Sequence, residues 1–136
     1  MKTIISTFTL LVVCALAYGQ SKSHQLSSHI LNITTGQPAA DVVIKLEKLN
    51  DKNQWEPVSV KKTDANGRVG DFLPYDEAKD NKGTYKLIFE TYPYFTKHGG
   101  DSFYPFVAVV FAIKDQAHYH VPITISPYGY ATYKGN

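Results

Sequence analysis

An all-β sandwich is the fold class that this 136-residue sequence predicts. Three observations carry it. Apolar and polar residues alternate with period two in several short runs, turn formers separate those runs at close intervals, and only one stretch has helical character. About eight short strands and at most one helix follow, with no internal repeat, heptad pattern or low-complexity tract.

The first stretch is of another kind. Lys2, an apolar run over 4–13 broken by Ser6, Thr7 and Thr9, and small residues at Ala15, Ala17 and Gly19 read as an export signal over 1–20. A membrane-spanning helix needs about 20 apolar residues, so the run is read as a removed leader and not as an anchor. Val13 before Cys14 fits a lipoprotein cleavage site poorly. Cys14 is the only cysteine, so the 21–136 domain forms no disulfide although export implies an oxidising compartment. About 116 residues remain, enough for one small domain with its own core. Of 14 Lys and Arg only Lys2 lies in the leader, leaving 13 against 12 acids. That near-neutral balance, with no basic block, argues against nucleic acid as a partner.

Within the domain, Leu26, Ile30, Leu31 and Ile33 flank His29 in an imperfectly alternating strand over 26–34, ended by Thr35-Gly36-Gln37-Pro38. Over 41–49 the alternation is cleaner: Val42, Ile44 and Leu46 share one face, Val43, Lys45 and Glu47 the other. After the polar turn 50–53 comes a strand over 54–63 whose apolar material is Trp55, Val58 and Val60. Thr63-Asp64-Ala65-Asn66-Gly67 is a turn with glycine where a left-handed residue is wanted, and Arg68 follows directly. Tyr85, Leu87 and Phe89 then share a strand face, 94–98 forms a short helix ended by Gly99-Gly100, and 105–113 is a nearly continuous apolar strand.

The closing stretch is where chemistry concentrates. On a strand, Tyr119, Val121, Ile123 and Ile125 face one way, into a core. His118, His120, Pro122 and Thr124 face the other way, which sets two imidazoles in a row about 7 Å apart. Ser126-Pro127-Tyr128-Gly129 is a corner, and 130–133 restarts a strand. A single strand histidine is usually a surface or hydrogen-bonded residue, and an arginine after a turn is usually solvated. Single residues therefore decide nothing.

The ordered set does. His118-Tyr119-His120-Val121-Pro122, Ser126-Pro127-Tyr128-Gly129-Tyr130 and Thr132-Tyr133-Lys134-Gly135-Asn136 resemble the C-terminal stretch of the 5-hydroxyisourate hydrolases, the enzymatic members of the transthyretin-like family. Ser28-His29-Ile30-Leu31-Asn32 with Thr35-Gly36-Gln37-Pro38-Ala39 is similar to the family's opening motif, and Thr63 to Arg68 to its central turn. Tyr92-Pro93-Tyr94-Phe95 and Phe103-Tyr104-Pro105 are similar to its helix and the approach to its sixth strand. The likeness runs through nearly the whole domain in the expected order. The usual family ending is Tyr-Arg-Gly-Ser, from which Lys134 and Asn136 depart.

The resemblance implies a transthyretin-like (prealbumin-like) sandwich of two four-stranded sheets with one short helix, assembled as a homotetramer with its sites at a subunit interface. It implies hydrolysis of 5-hydroxyisourate to 2-oxo-4-hydroxy-4-carboxy-5-ureidoimidazoline in urate degradation, with no cofactor and no metal. His29, Arg68 and His120 fall on its catalytic positions, and His118 is the second choice for the base. His29, Arg68, Tyr133, Lys134 and Asn136 fall on its substrate-binding positions. These side chains suit the task. Histidine titrates near neutral pH and serves as base and then acid, while Arg68 keeps its charge and offers a planar fork of donors to ring oxygens. Lys134 keeps the usual arginine's charge without its fork, and Asn136 substitutes an amide for a hydroxyl.

Three rival readings stand beside this one. His-x-His on a strand with no cysteine is a sparse zinc signal. An exported transthyretin-like carrier of small ligands, lacking hydrolase activity, predicts an apolar channel where this sequence puts His29, Arg68, His120 and Tyr133. An adhesion or scaffold module predicts no convergence of polar groups.

Overall fold

The computed structural model describes residues 23–136; the export signal expected over 1–20 lies outside them. Two sheets pack face to face. The first is built on β1 (His24–Asn32), with β5 (Arg68–Pro74) antiparallel on one side and β8 (Tyr119–His120) and β9 (Ile123–Ser126) parallel to it. β10 (Gly129–Thr132) closes onto β9, and the two-residue β2 (Gln37–Pro38) folds back on the end of β1. The second sheet runs β4-β3-β6-β7, all antiparallel, from β3 (Val43–Leu49), β4 (Trp55–Lys62), β6 (Gly83–Phe89) and β7 (Val107–Ile113).

β8 and β9 are one line of chain interrupted at Val121-Pro122, where proline has no N–H to give the ladder. Counted that way, and with β2 taken as a short return, each sheet has four principal strands. The transthyretin-like sandwich expected from the sequence is the fold observed.

The core lies between the inward faces. Leu26, Ile30, Phe72, Ile123 and Ile125 from the first sheet meet Ile44, Leu46, Tyr85, Leu87, Phe89 and Ile113 from the second, all nearly or fully buried. The alternation read in 41–49, 85–89 and 119–125 is thus the alternation that packs. Two details differ. Val58 and Val60 stay 44% and 62% exposed, because β4 is the edge of its sheet and its register shifts near Leu46/Glu47, so this strand adds little to the core. The helix, α1 (Thr91–Lys97), starts three residues before the expected 94, since Pro93 in a first turn gives up an N–H that has no intrahelical partner there. It ends as expected: His98 caps it, its Nδ1 donating to the Tyr94 carbonyl at 2.7 Å, and Gly99 turns at φ +77°.

The turn before β5 is what aims Arg68. Asp64 Oδ1 accepts from the N–H groups of Asn66 and Arg68, both at 2.9 Å, and the Gly67 N–H donates to the Asp64 carbonyl. Gly67 sits at φ +70° and its carbonyl accepts the Ile30 N–H at 2.9 Å. A Cβ here would lie 2.6 Å from the Ile30 carbonyl oxygen, against backbone that cannot move aside. Gly67→Ala is therefore expected to lower unfolding free energy by about 2 kcal/mol or more, read as a shifted denaturant midpoint at unchanged slope.

Candidate active site

Because β1 alternates, Leu26, Ser28, Ile30 and Asn32 are buried while Ser27 and His29 turn to the opposite, half-buried face. The neighbours in register bring the other polar groups to that face. His29 and Arg68 are directly opposed across the antiparallel β1–β5 pair. Ser27 and His120 are partners across the parallel β1–β8 pair. Arg68 and His120 thus flank the same central strand from its two sides, roughly 10 Å apart at strand spacing.

Buried polar groups hold this arrangement. Ser28 Oγ donates to the Val121 carbonyl at 2.8 Å, and the Val121 N–H donates to the Ser27 carbonyl at 3.0 Å. Gln25, fully buried, donates to the carbonyls of Asp115 and Ala117 at 2.8 and 3.1 Å and accepts from Asn81. An unpaired amide there would cost about 1–3 kcal/mol, so its saturation locks the chain just before His118. Tyr119 adds a further tie, its hydroxyl accepting from the Lys114 N–H and donating to Asp115 Oδ1.

Arg68, His120 and Asn136 line one hollow with Ser27, Val69 and Gly70, of about 170 Å³. The C-terminal tail reaches it because Gly135 bridges to His120: the Gly135 N–H donates to the His120 carbonyl at 2.8 Å. Gly135 also lies against the imidazole, where a Cβ would stand 2.5 Å from His120 Cδ2. His120 Nδ1 and Ser27 Oγ are 2.8 Å apart, as are Ser27 Oγ and His118 Nε2.

The sequence-derived candidates therefore divide. His29, Arg68, His118 and His120 share one face of the first sheet, and Asn136 joins them through the tail. Tyr133 and Lys134 instead line a larger, almost wholly apolar cavity of about 260 Å³ against β7, where Lys134 Nζ stands 5.5 Å over the Tyr119 ring. Strand alternation and the β10 pairing carry these two side chains away from Arg68 within one protomer. Two participants were not picked out from the sequence, Ser27 and Gly135. Ser27 had a signal, since it stands two residues before His29 on the same face; Gly135 had none, because its role is a close approach by a residue 15 positions away.

Burial lowers the His29 pKa from 6.5, and the neighbouring Arg68 charge lowers it further; a backbone hydrogen bond at Asn66 and the charge of Asp64 pull the other way. His29 is thus held towards its neutral form beside a permanent cation. Since the unfolded chain binds this proton more readily, His29 contributes stability that is lost as pH falls below about 6.5 towards its folded value. An Arg68→Gln variant is expected to raise the His29 pKa part of the way back to 6.5, as burial remains. An imidazole NMR titration reads this directly; no upward movement would separate the two residues electrostatically.

Comparison with known proteins finds relatives of this chain. A family model described as the HIUase/Transthyretin family matches residues 26–135. The 5-hydroxyisourate hydrolase of Salmonella dublin is 39% identical, across 100% of this chain and 96% of its own. The solved structure of Klebsiella pneumoniae 5-hydroxyisourate hydrolase has a TM-score of 0.68 at 34% identity, covering 82% of this chain and 98% of its own. Sea bream transthyretin, solved in complex with thyroxine, has a TM-score of 0.74 at 27% identity, covering 82% and 94%.

Proposed function

This chain belongs to the HIUase/Transthyretin family, and from that premise we propose that it is a hydrolase that opens the ring of 5-hydroxyisourate. The observation that carries the reading is the convergence of Arg68, His29 and His120 on one sheet face from three strands far apart in sequence. A thyroxine-type carrier shares the fold, but an apolar ligand would meet a guanidinium and imidazoles here, which favours the enzyme.

The chemistry follows from the groups. Water adds to a ring carbonyl carbon while His120 takes its proton. Arg68 offers N–H donors to the oxyanion that forms, a charge-assisted contact that strengthens as negative charge develops. The ring C–N bond then breaks, the nitrogen receives the proton back from His120, and a ureido group and a carboxylic acid remain, the acid losing its proton to solvent as a carboxylate. His29, kept neutral by burial and Arg68, hydrogen-bonds the substrate or its leaving nitrogen without competing for charge. His120→Ala and Arg68→Ala are expected to lower kcat/KM about 100-fold or more. Gly135→Ala, which drives a methyl into the His120 ring, is expected to lower kcat comparably. The measurement is spectrophotometric decay of freshly generated 5-hydroxyisourate; wild-type decay no faster than the spontaneous rate would overturn the reading.

Assembly and export belong to the same proposal. At about 170 Å³ the hollow is smaller than the roughly 300–1,000 Å³ of most small-molecule sites. A second chain closing over the β1 face would complete it, and a homotetramer places two such faces against each other. Tyr133 and Lys134, distant from Arg68 within one chain, would then act at the site only through a neighbouring protomer. The leader over 1–20 directs the protein to the periplasm or the medium. Light scattering is expected to give four copies, and mass spectrometry of the exported protein an N-terminus near residue 20; a monomer with full activity, or an intact leader on the mature enzyme, would contradict this.

A further inference from the structure

His118 lies outside the catalytic scheme above, yet the structure ties both of its nitrogens. His118 Nδ1 is 2.8 Å from the His24 carbonyl oxygen, and His118 Nε2 is 2.8 Å from Ser27 Oγ. A carbonyl only accepts, so His118 Nδ1 carries the proton. Neutral His118 then has its lone pair on Nε2, and that lone pair takes the single hydroxyl hydrogen of Ser27. With its hydrogen committed, Ser27 Oγ faces His120 Nδ1 at 2.8 Å as an acceptor, so His120 Nδ1 is the protonated nitrogen. Neutral His120 is left with its basic lone pair on Nε2. Each step follows from the one before, and the chain of donors is anchored by a backbone carbonyl that has no alternative role.

We propose that Ser27 and His118 are positioning residues: the His24 carbonyl–His118–Ser27–His120 chain presents His120 as its Nδ1–H tautomer with Nε2 as the base. Which imidazole nitrogen is basic is set by the hydrogen bond the other makes. Here that partner is a serine whose polarity is dictated by a second histidine, where the serine hydrolases use a carboxylate. Gly135 packed on the ring edge keeps the imidazole from turning over.

The same three groups move charge. When His120 Nε2 takes a proton from water, His120 Nδ1–H passes its proton to Ser27 Oγ as Ser27 passes its own to His118 Nε2. His118 becomes the imidazolium, still donating Nδ1–H to the His24 carbonyl. His120 is again neutral, now carrying its proton on Nε2, the form that can donate to a leaving nitrogen. Donation there, with the relay running backwards, restores the starting state, so no proton is gained or lost. The benefit is electrostatic. Arg68 and His120 share the hollow, whereas His118 borders a separate one with Ser23, His24 and Gly70, Ser27 forming the wall between them. Sending the charge to His118 moves it about 7 Å along the strand, away from the base that must be neutral again to complete the cycle.

The tautomer stands independently of the activity; its effect on turnover rests on the hydrolase reading. The test is two-bond 1H–15N correlation NMR on the uniformly labelled full domain above the histidine titration range, alongside kinetics. Wild-type His120 is expected with its proton on Nδ1 and not on Nε2, the tautomer that a solvated imidazole disfavours. Ser27→Ala is expected to return His120 to the Nε2–H form and to lower kcat about 10- to 100-fold with KM within about twofold. Ser27→Thr, which keeps a hydroxyl, is expected to recover the tautomer and most of the rate. His118→Phe, which removes the acceptor for the Ser27 hydrogen, is expected to leave a mixture of His120 tautomers. Wild-type His120 found as Nε2–H, or a Ser27→Ala protein with tautomer and kcat unchanged, overturns the relay. An Nδ1–H His120 in a protein that does not hydrolyse 5-hydroxyisourate supports the hydrogen-bond chain and its tautomer and removes the hydrolase reading.

Discussion

The parallel seam between β1 and the closing segment is the constraint on which the rest depends. Parallel neighbours cannot be joined by a tight turn, and here about 90 residues intervene between the partners. Everything between them, the second sheet and the helix included, must be in place for the seam to be held. Its own fastenings are few and buried: Ser28 to the Val121 carbonyl, Val121 to the Ser27 carbonyl, and Gln25 to the carbonyls of Asp115 and Ala117. Each satisfies polar groups that would be costly to leave unpaired in a dry place. The seam's register is therefore specified tightly, and a one-residue slip would turn His120 into the core.

That register divides labour between two faces of one sheet. The inward face is apolar and closes on the second sheet, leaving His29, Arg68, Ser27, His118 and His120 on the other. Side chains that must change protonation stand on a backbone that cannot shift, because its far side is packed. The tail adds a second clamp: Gly135 bonds the His120 backbone and lies against its ring, so the last residues act by close approach rather than by adding a reactive group.

Family likeness and site geometry answer different questions here. Transthyretin, solved with thyroxine, and a bacterial 5-hydroxyisourate hydrolase both superpose on this chain, so the sandwich by itself does not distinguish carriage from catalysis. The outward face of β1 and its neighbours does, since a guanidinium next to imidazoles suits developing negative charge more than an apolar guest. Lys134 and Asn136 show why position matters more than composition. The lysine rests over an aromatic ring by the apolar cavity, and the asparagine reaches the hollow of Arg68 and His120.

Local pattern alone settled much of this protein. Period-two alternation marked the buried faces of 41–49, 85–89 and 119–125, and the glycine before Arg68 marked a left-handed turn, because strand pleat and backbone sterics act between near neighbours. It marked the 54–63 strand too, but not its place: the sheet order puts that strand, with Val58 and Val60, on an edge. The placing of residues 15 to 90 positions apart belonged to tertiary structure. Only the parallel seam sets Ser27 between two histidines, and only the returning tail brings Gly135 against His120. Hydrogen-bond polarity and close packing at such distances follow from how the sheets pack, which no single stretch of chain encodes.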